Sequence, residues 1–187
     1  MKKPPKSARS VSNNQDHSAK IVLDDASRAA RMEMANRIFF RLYQCANLLH
    51  KTGTRAVEDE GLTTQQWAVL GALSRPATIT KGMAVGELAR YLMVSRQNLS
   101  GVLARLERDG RLQSLPDGED RRSRRVTLTA EGQRLWQVDV QARIQAYYAQ
   151  ALDGFSLNDM THTLHYLLRM LENFKTLEAE RPDDVHE

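Results

Sequence analysis

Cysteine is nearly absent from this chain. The single residue, Cys45, excludes an internal disulfide and suits a reducing compartment, so the expected setting is the cytoplasm. Aromatic residues make up only 6% of the sequence, a share that suits helix better than sheet. Long apolar runs are missing too: the longest stretch of apolar residues and glycine is WAVLGAL at 67–73, whereas a membrane span needs roughly 20. The opening MKKPPKSARSVSNNQD is basic, but no apolar segment follows it, so a secretory signal is not expected. Nor is there an activated nucleophile, a phosphate-cradling loop or a paired-carboxylate signature. His162 and His165 can share a helix face, but no nearby carboxylate or cysteine completes a ligand set around them. An enzyme, a metal site, a cofactor and a membrane partner are therefore not expected.

What is present is ordinary for a globular chain: 187 residues, 41% hydrophobic and 27% charged, enough for one domain with tails. The net charge of +4 hides a partition. Residues 1–20 carry five Lys or Arg against one acid, and residues 90–125 carry nine against five. Residues 126–187 reverse the sign, with five bases against ten acids. A central basic block is the electrostatic footprint of a polyanion partner, and the acidic C-terminal third should avoid the same partner.

Helical periodicity fills most of the chain. From about 24 to 55, Met34, Ile38, Leu42, Cys45 and Leu49 recur at spacings of four and three, one inward face of a long helix. Thr63-x-x-Gln66 is a capping-box pattern that opens a second helix, with Trp67, Leu70 and Leu73 inward. A short third helix over about 84–92 turns Val85, Leu88, Ala89 and Leu92 inward. Two residues later Ser95 caps a fourth, whose Leu99, Val102, Leu103 and Leu106 fall at i, i+3, i+4 and i+7. Two helices joined by so tight a turn form a helix-turn-helix, whose second helix enters the DNA major groove. RLQSLP and RRVTLT then pair as a hairpin, Thr129 caps a long helix, and a last helix begins at Ser156 with Asp159 in its first turn. Residues 1–23 are expected to be a disordered basic tail and 181–187 a frayed end.

The face of the fourth helix opposite its apolar stripe is centred on Gln97, Gly101, Ala104 and Arg108, with Asn98, Ser100 and Arg105 beside it and Ser95 and Arg96 at its start. Gln and Asn can bond adenine bidentately, and the small Gly101 and Ala104 let the backbone approach the bases. In the hairpin, Pro116, Asp117 and Gly118 signal the turn, and Val126 and Leu128 share one face of the returning strand. Arg122 at the tip can enter a narrow, electronegative minor groove. Asp120 would repel phosphate if free, but paired to an arginine it can hold that side chain in one rotamer. Arg121, Arg124 and Arg125 are expected to meet phosphate.

The blocks GLTTQQWAVLGAL, AVGELARYLMVSRQNLSGVLARLERDG and DGEDRRSRRVTLTAEG, in this order, resemble the MarR family of bacterial winged helix-turn-helix regulators over about residues 30–178. The resemblance implies a mainly helical α+β fold. Residues 24–180 would form one domain, with dimerisation helices in 24–60 and 129–180 around a winged helix-turn-helix in 61–128. It implies that the wing Asp120 orients and the wing Arg122 inserts, that two copies pair through the terminal helices, and that a small phenolic or aromatic acid releases a repressor from double-stranded DNA. Two positions depart from the family pattern. Met93 stands where relatives often have a glycine ahead of the V-S, and Gly101 stands where they often have an arginine.

Apolar seams at both ends, including Met34 and Ile38 in the first helix and Leu164, Leu167, Leu171 and Phe174 in the last, are the expected homodimer face and would place two reading helices on an inverted repeat. Arg41, Tyr43, His50 and Trp67 are a set that can hold an aromatic ring and its carboxylate, though Tyr43 and Trp67 serve equally as core. Two alternatives remain open at this level. Cys45 can act as a redox sensor, although it lies outside the F-x-L-Y context of the family's peroxide-sensing branch. An architectural DNA-binding protein without an effector needs only the same basic block.

Overall fold

The computed structural model of the chain describes residues 9–116 and 124–180. Helix α1 runs from Arg9–Val57 and a 3-10 turn, Glu58–Glu60, follows it. Next come α2 (Thr64–Leu73), strand β1 (Met83–Ala84), α3 (Val85–Leu92) and α4 (Arg96–Arg108). Strands β2 (Leu112–Pro116) and β3 (Arg124–Leu128) form the hairpin, then α5 (Ala130–Arg134) and α6 (Gln141–Ala151) are joined without a break through a π-helical stretch, Leu135–Val140. Helix α7 (Leu157–Ala179) ends the described chain. The fold is a mainly helical winged helix-turn-helix with a small antiparallel sheet, as the motifs imply.

The local signals act as their chemistry requires. Thr63 Oγ1 accepts from the Gln66 amide at 3.3 Å while the Gln66 side chain accepts from the Thr63 amide at 2.9 Å, so α2 starts on the anticipated capping box. Ser95 Oγ accepts from the Asn98 amide, Thr129 from Gly132 and Ser156 from Asp159, which starts α4, α5 and α7. Leu70, Leu73, Leu88, Leu99, Leu103 and Leu106 converge with Val126 and Leu128 on one core under the sheet. The sheet order is β1-β3-β2, with Met83 paired to Val126 and Leu112 to Leu128. Strand β1 has no counterpart in the sequence reading, because two residues are too short for an alternating pattern to register.

Three expectations are corrected. The helix reaches back to Arg9, so residues 9–23, expected as part of a disordered tail, continue α1. No proline lies between Pro5 and Pro76, and once a helix is nucleated each further residue gains a backbone bond at little cost. Residues 1–8 and 181–187, the remainder of the expected disordered ends, lie outside the described residues. The stripe expected to face inward on α1 is open on the single chain: Met34, Ile38, Cys45 and Leu49 are exposed and only Leu42 is half-buried. Periodicity reveals that a face is apolar but not what covers it, and much of α1 extends beyond the body. Finally, the single long helix expected after Thr129 contains the π stretch at Leu135–Val140, in which one extra residue is accommodated per turn.

Candidate nucleic-acid interface

Helix α4 is fixed from behind and free in front. Leu99, Leu103 and Leu106 anchor it in the core, and Gln97, Asn98, Ser100, Gly101, Ala104 and Arg105 all face solvent. A Cβ built at Gly101 meets nothing within 4 Å, so no packing inside the chain requires glycine there. The turn that aims α4 is made at Met93, which adopts φ 54 and ψ 44 and returns its amide to the end of α3. This is the left-handed conformation that glycine takes freely and other residues at a cost.

The expected DNA-facing residues separate into groups once their contacts are visible. The Ser95 hydroxyl is occupied in capping, and Ser100 donates back to the Arg96 carbonyl at 2.8 Å. The Arg96 guanidinium lies back along α3: a Cβ at Gly86 would sit 2.9 Å from its Nη2. Gln97, Asn98 and Arg105 carry exposed side chains without a side-chain partner among the described residues. Asp120, Arg121 and Arg122 lie outside the described residues, in the gap between β2 and β3. At the base of that gap Arg124 reaches Glu107 on α4 at 3.5 Å, and Glu107 also accepts from Ser114. Arg125, expected to meet phosphate, donates to the carbonyls of Lys81 at 3.3 Å and Gly82 at 3.1 Å. Its place beside Ala84 in the β1–β3 register brings the guanidinium to the turn before β1 and holds that turn down.

Sequence reasoning did not anticipate a clamp at the root of the hairpin. Arg111 donates to the Glu60 carbonyl at 2.6 Å and the Gly61 carbonyl at 3.2 Å, tying the start of β2 to the turn after α1. Its own carbonyl accepts from Thr129, and a Cβ at Gly132 would fall 2.1 Å from that oxygen, so only glycine allows the approach. From the other side Arg143 on α6 pairs with Glu60 at 3.0 Å and Asp59 at 2.9 Å. Basic residues at 111 and 143 carry no motif, and their partners lie dozens of residues away.

The four residues expected to hold an aromatic acid have different surroundings. Trp67 is buried, with its ring 5.9 Å from those of Tyr147 and Tyr148, and burial there pushes the Tyr148 hydroxyl above its ordinary range. Arg41 donates to Gln44, while Tyr43 and His50 are exposed on α1. On α7, Leu164, Leu167 and Phe174 are exposed and Phe174 meets Phe39 of α1 edge-on at 6.1 Å. His162 and His165 both lie against Tyr166, at 6.5 and 5.3 Å. Among the described residues no group of three or more His, Cys, Asp or Glu could hold a metal ion. Among the same residues no helix is long and apolar enough to cross a membrane.

Comparison with known proteins agrees with this architecture. Residues 60–123, the reading unit, match the model of the MarR family. The chain is 65% identical over 159 residues to the transcriptional activatory protein BadR of Rhodopseudomonas palustris, covering 85% of this chain and 90% of the relative. It is 32% identical over 129 residues to the homoprotocatechuate degradative operon repressor of Escherichia coli, covering 69% and 81% respectively. The crystal structure of AbfR of Staphylococcus epidermidis superimposes with a TM-score of 0.67 at 23% identity, over 80% of this chain and 98% of that one.

Proposed function

Because the chain belongs to the MarR family of DNA-binding transcriptional regulators, we propose that it acts as a homodimer on an inverted-repeat operator and that a small phenolic or aromatic carboxylate controls the complex. The observation that carries the DNA reading is α4 itself, whose exposed polar face is backed by three buried leucines and interrupted by Gly101 in open space. In this reading Gln97 and Asn98 contact base edges, Arg105 and Arg124 meet phosphate, and Arg122 at the wing tip, steadied by Asp120 and flanked by Arg121, enters the minor groove. Residues 61–128 read DNA while 24–60 and 129–180 pair the copies.

The open apolar stripes support dimerisation. Met34, Ile38, Leu164, Leu167 and Phe174 are each about half exposed on one chain, and a contiguous apolar surface of that kind marks a partner site. The effector class is supported by the relative named for homoprotocatechuate breakdown, since homoprotocatechuate is itself an aromatic acid. The relative at 65% identity is named an activator, so activation is the expected sign, in place of the repression the sequence suggests. The redox alternative rests on Cys45 alone, and nothing packed around it adds to that reading.

Anisotropy titration of the full chain on DNA from upstream of its own gene, at several salt concentrations, tests the proposal. Saturable binding with a steep salt dependence is expected. Equal affinity for a scrambled duplex would reduce the chain to a nonspecific binder, the architectural reading.

A further inference from the structure

A groove of about 850 Å³ separates the α3–α4 turn from the C-terminal part of α7. It is cationic: Arg90, Arg96 and Lys175 line it against the acid Glu178. Among the described residues neither Arg90 nor Arg96 is in an ion pair, whereas Lys175 reaches Glu172 at 3.3 Å. We infer that this groove is the docking site for the acidic segment that follows α7, residues 181–187 of the same chain, and that the docked segment restrains DNA binding by occupying the arginines beside the start of α4.

Charge, reach and direction select that occupant. The segment RPDDVHE carries Asp183, Asp184 and Glu187 against Arg181, and the guanidinium fork matches a carboxylate. Helix α7 stops at the edge of the groove: Glu178 and Ala179 line it, and the Glu180 amide closes the helix on the Thr176 carbonyl at 3.0 Å. A proline two residues past such a cap, here Pro182, cannot continue a helix and disfavours helical backbone at the residue before it. The chain is therefore turned off the axis of α7 beside the groove. Asp183 and Asp184 follow Glu180 so closely that they can lie no more than roughly 10 to 14 Å from it. An acid tethered at that range has an effective concentration on the order of millimolar, which a separate acidic partner would have to exceed. Met93 and Val94 are exposed on the wall of the groove and suit Val185, the aliphatic residue of the segment. Leu171 and Phe174 close the far end and belong to the seam proposed for the second copy, so the segment needs only the end formed by Arg90, Met93, Val94 and Arg96.

Occupancy of this groove bears on DNA because of where the arginines stand. Arg96 is the first residue of α4, directly after the Ser95 cap. Its guanidinium rests over Gly86, where an added Cβ would sit 2.9 Å from Nη2, so a larger residue at 86 would displace it from the groove. The start of a helix favours anions, and DNA phosphates approach the reading helix from that side. Two carboxylates held there neutralise Arg90 and Arg96 and present like charge to the phosphates. The restraint is electrostatic and fades with salt, since the screening length falls to roughly 10 Å at 0.1 M. DNA in turn competes for the same cations, so the segment weakens binding without blocking it.

The inference needs DNA binding and no effector. Docking is read on the full chain without DNA, with a nitroxide on Glu187→Cys in a Cys45→Ser background. The label should broaden the Met93 methyl resonance. Broadening should fall at least about threefold when Asp183→Asn and Asp184→Asn are added together, or when Arg90→Gln removes one cation. Nitroxide-bearing copies without the methyl isotope, mixed with isotope-bearing copies without the nitroxide, should leave Met93 sharp. Broadening in that mixture would give the groove to the second copy's segment and overturn the inference. On DNA from upstream of its own gene, ending the chain at Glu180 should tighten binding about three- to tenfold at low salt, as should Asp183→Asn with Asp184→Asn. The gain should shrink as salt rises, with sedimentation and melting unchanged. A sharp Met93 resonance in the labelled full chain, broadening indifferent to the charge variants, or equal low-salt affinity of truncated and full chains would also overturn the inference. A chain that prefers no operator would sink the inverted-repeat reading instead, and the same comparison on a nonspecific duplex still decides the groove.

Discussion

Met93 and Gly101 are exchanged relative to what their positions favour: a long side chain occupies a left-handed turn and a glycine occupies a helix. The first placement costs roughly 1 to 2 kcal/mol for a non-glycine residue, partly offset by the lower unfolded-state entropy of methionine, roughly 0.5 to 1 kcal/mol. Met93→Gly is therefore expected to raise stability by about 0.5 to 1 kcal/mol, and a denaturant melt with a lowered midpoint would contradict it. Gly101→Ala should stabilise the free protein by about 1 kcal/mol, since nothing lies within 4 Å of the added carbon. The same change should weaken operator binding if the backbone approaches DNA there. Both unusual positions are legible in the sequence as departures from a pattern, but only the φ angle and the empty space say which way each substitution moves.

At the scale of elements, caps and stripes were readable and long-range clamps were not. The Ser156–Asp159 box is an example of the first kind: two residues three apart fix the start of α7. Hydrogen bonds from the Ser156 hydroxyl and amide hold the Asp159 carboxyl below its ordinary value. A depressed carboxyl contributes stability above its unfolded pKa and loses it as pH falls through the folded one. Acid titration followed by hydrogen exchange should therefore show the first turn of α7 opening at the acid end, and Ser156→Ala should open it already near neutral pH. An unaltered acid profile in that variant would refute the role of the cap. Arg125 illustrates the second kind. Its sequence context is a run of arginines, yet strand pairing with Ala84 carries it to the carbonyls of Lys81 and Gly82. No local pattern encodes a partner more than forty residues away.

For the whole molecule the decisive feature is that α1 and α7 display apolar rows on a single chain. Leu167→Glu should leave the monomer fold intact, because the side chain is 46% exposed there. It should also split the proposed dimer, since a buried charge without a partner is costly. Analytical ultracentrifugation reads the mass, and loss of bivalent binding should weaken operator affinity by roughly a hundredfold or more. A variant that remains dimeric would place the interface elsewhere. The effector set read from Arg41, Tyr43, His50 and Trp67 belongs to this scale as well. Each residue type suits an aromatic acid, but the fold buries Trp67 against α6 and leaves Tyr43 and His50 on the outside of α1.

By itself the sequence determined the starts of α2, α4, α5 and α7, the helix-turn-helix, the hairpin, the family and the polar face of α4, because each depends on residues within a few positions of one another. The tertiary structure decided what the arginines do. Arg111, Arg125 and Arg143 are chemically alike and carry no distinguishing neighbours, and they become clamps only because packing brings distant carbonyls and carboxylates within about 3 Å. It also decided that the periodic stripe of α1 lies open, since periodicity marks an apolar face while coverage depends on what else the chain, or a second copy of it, can place there.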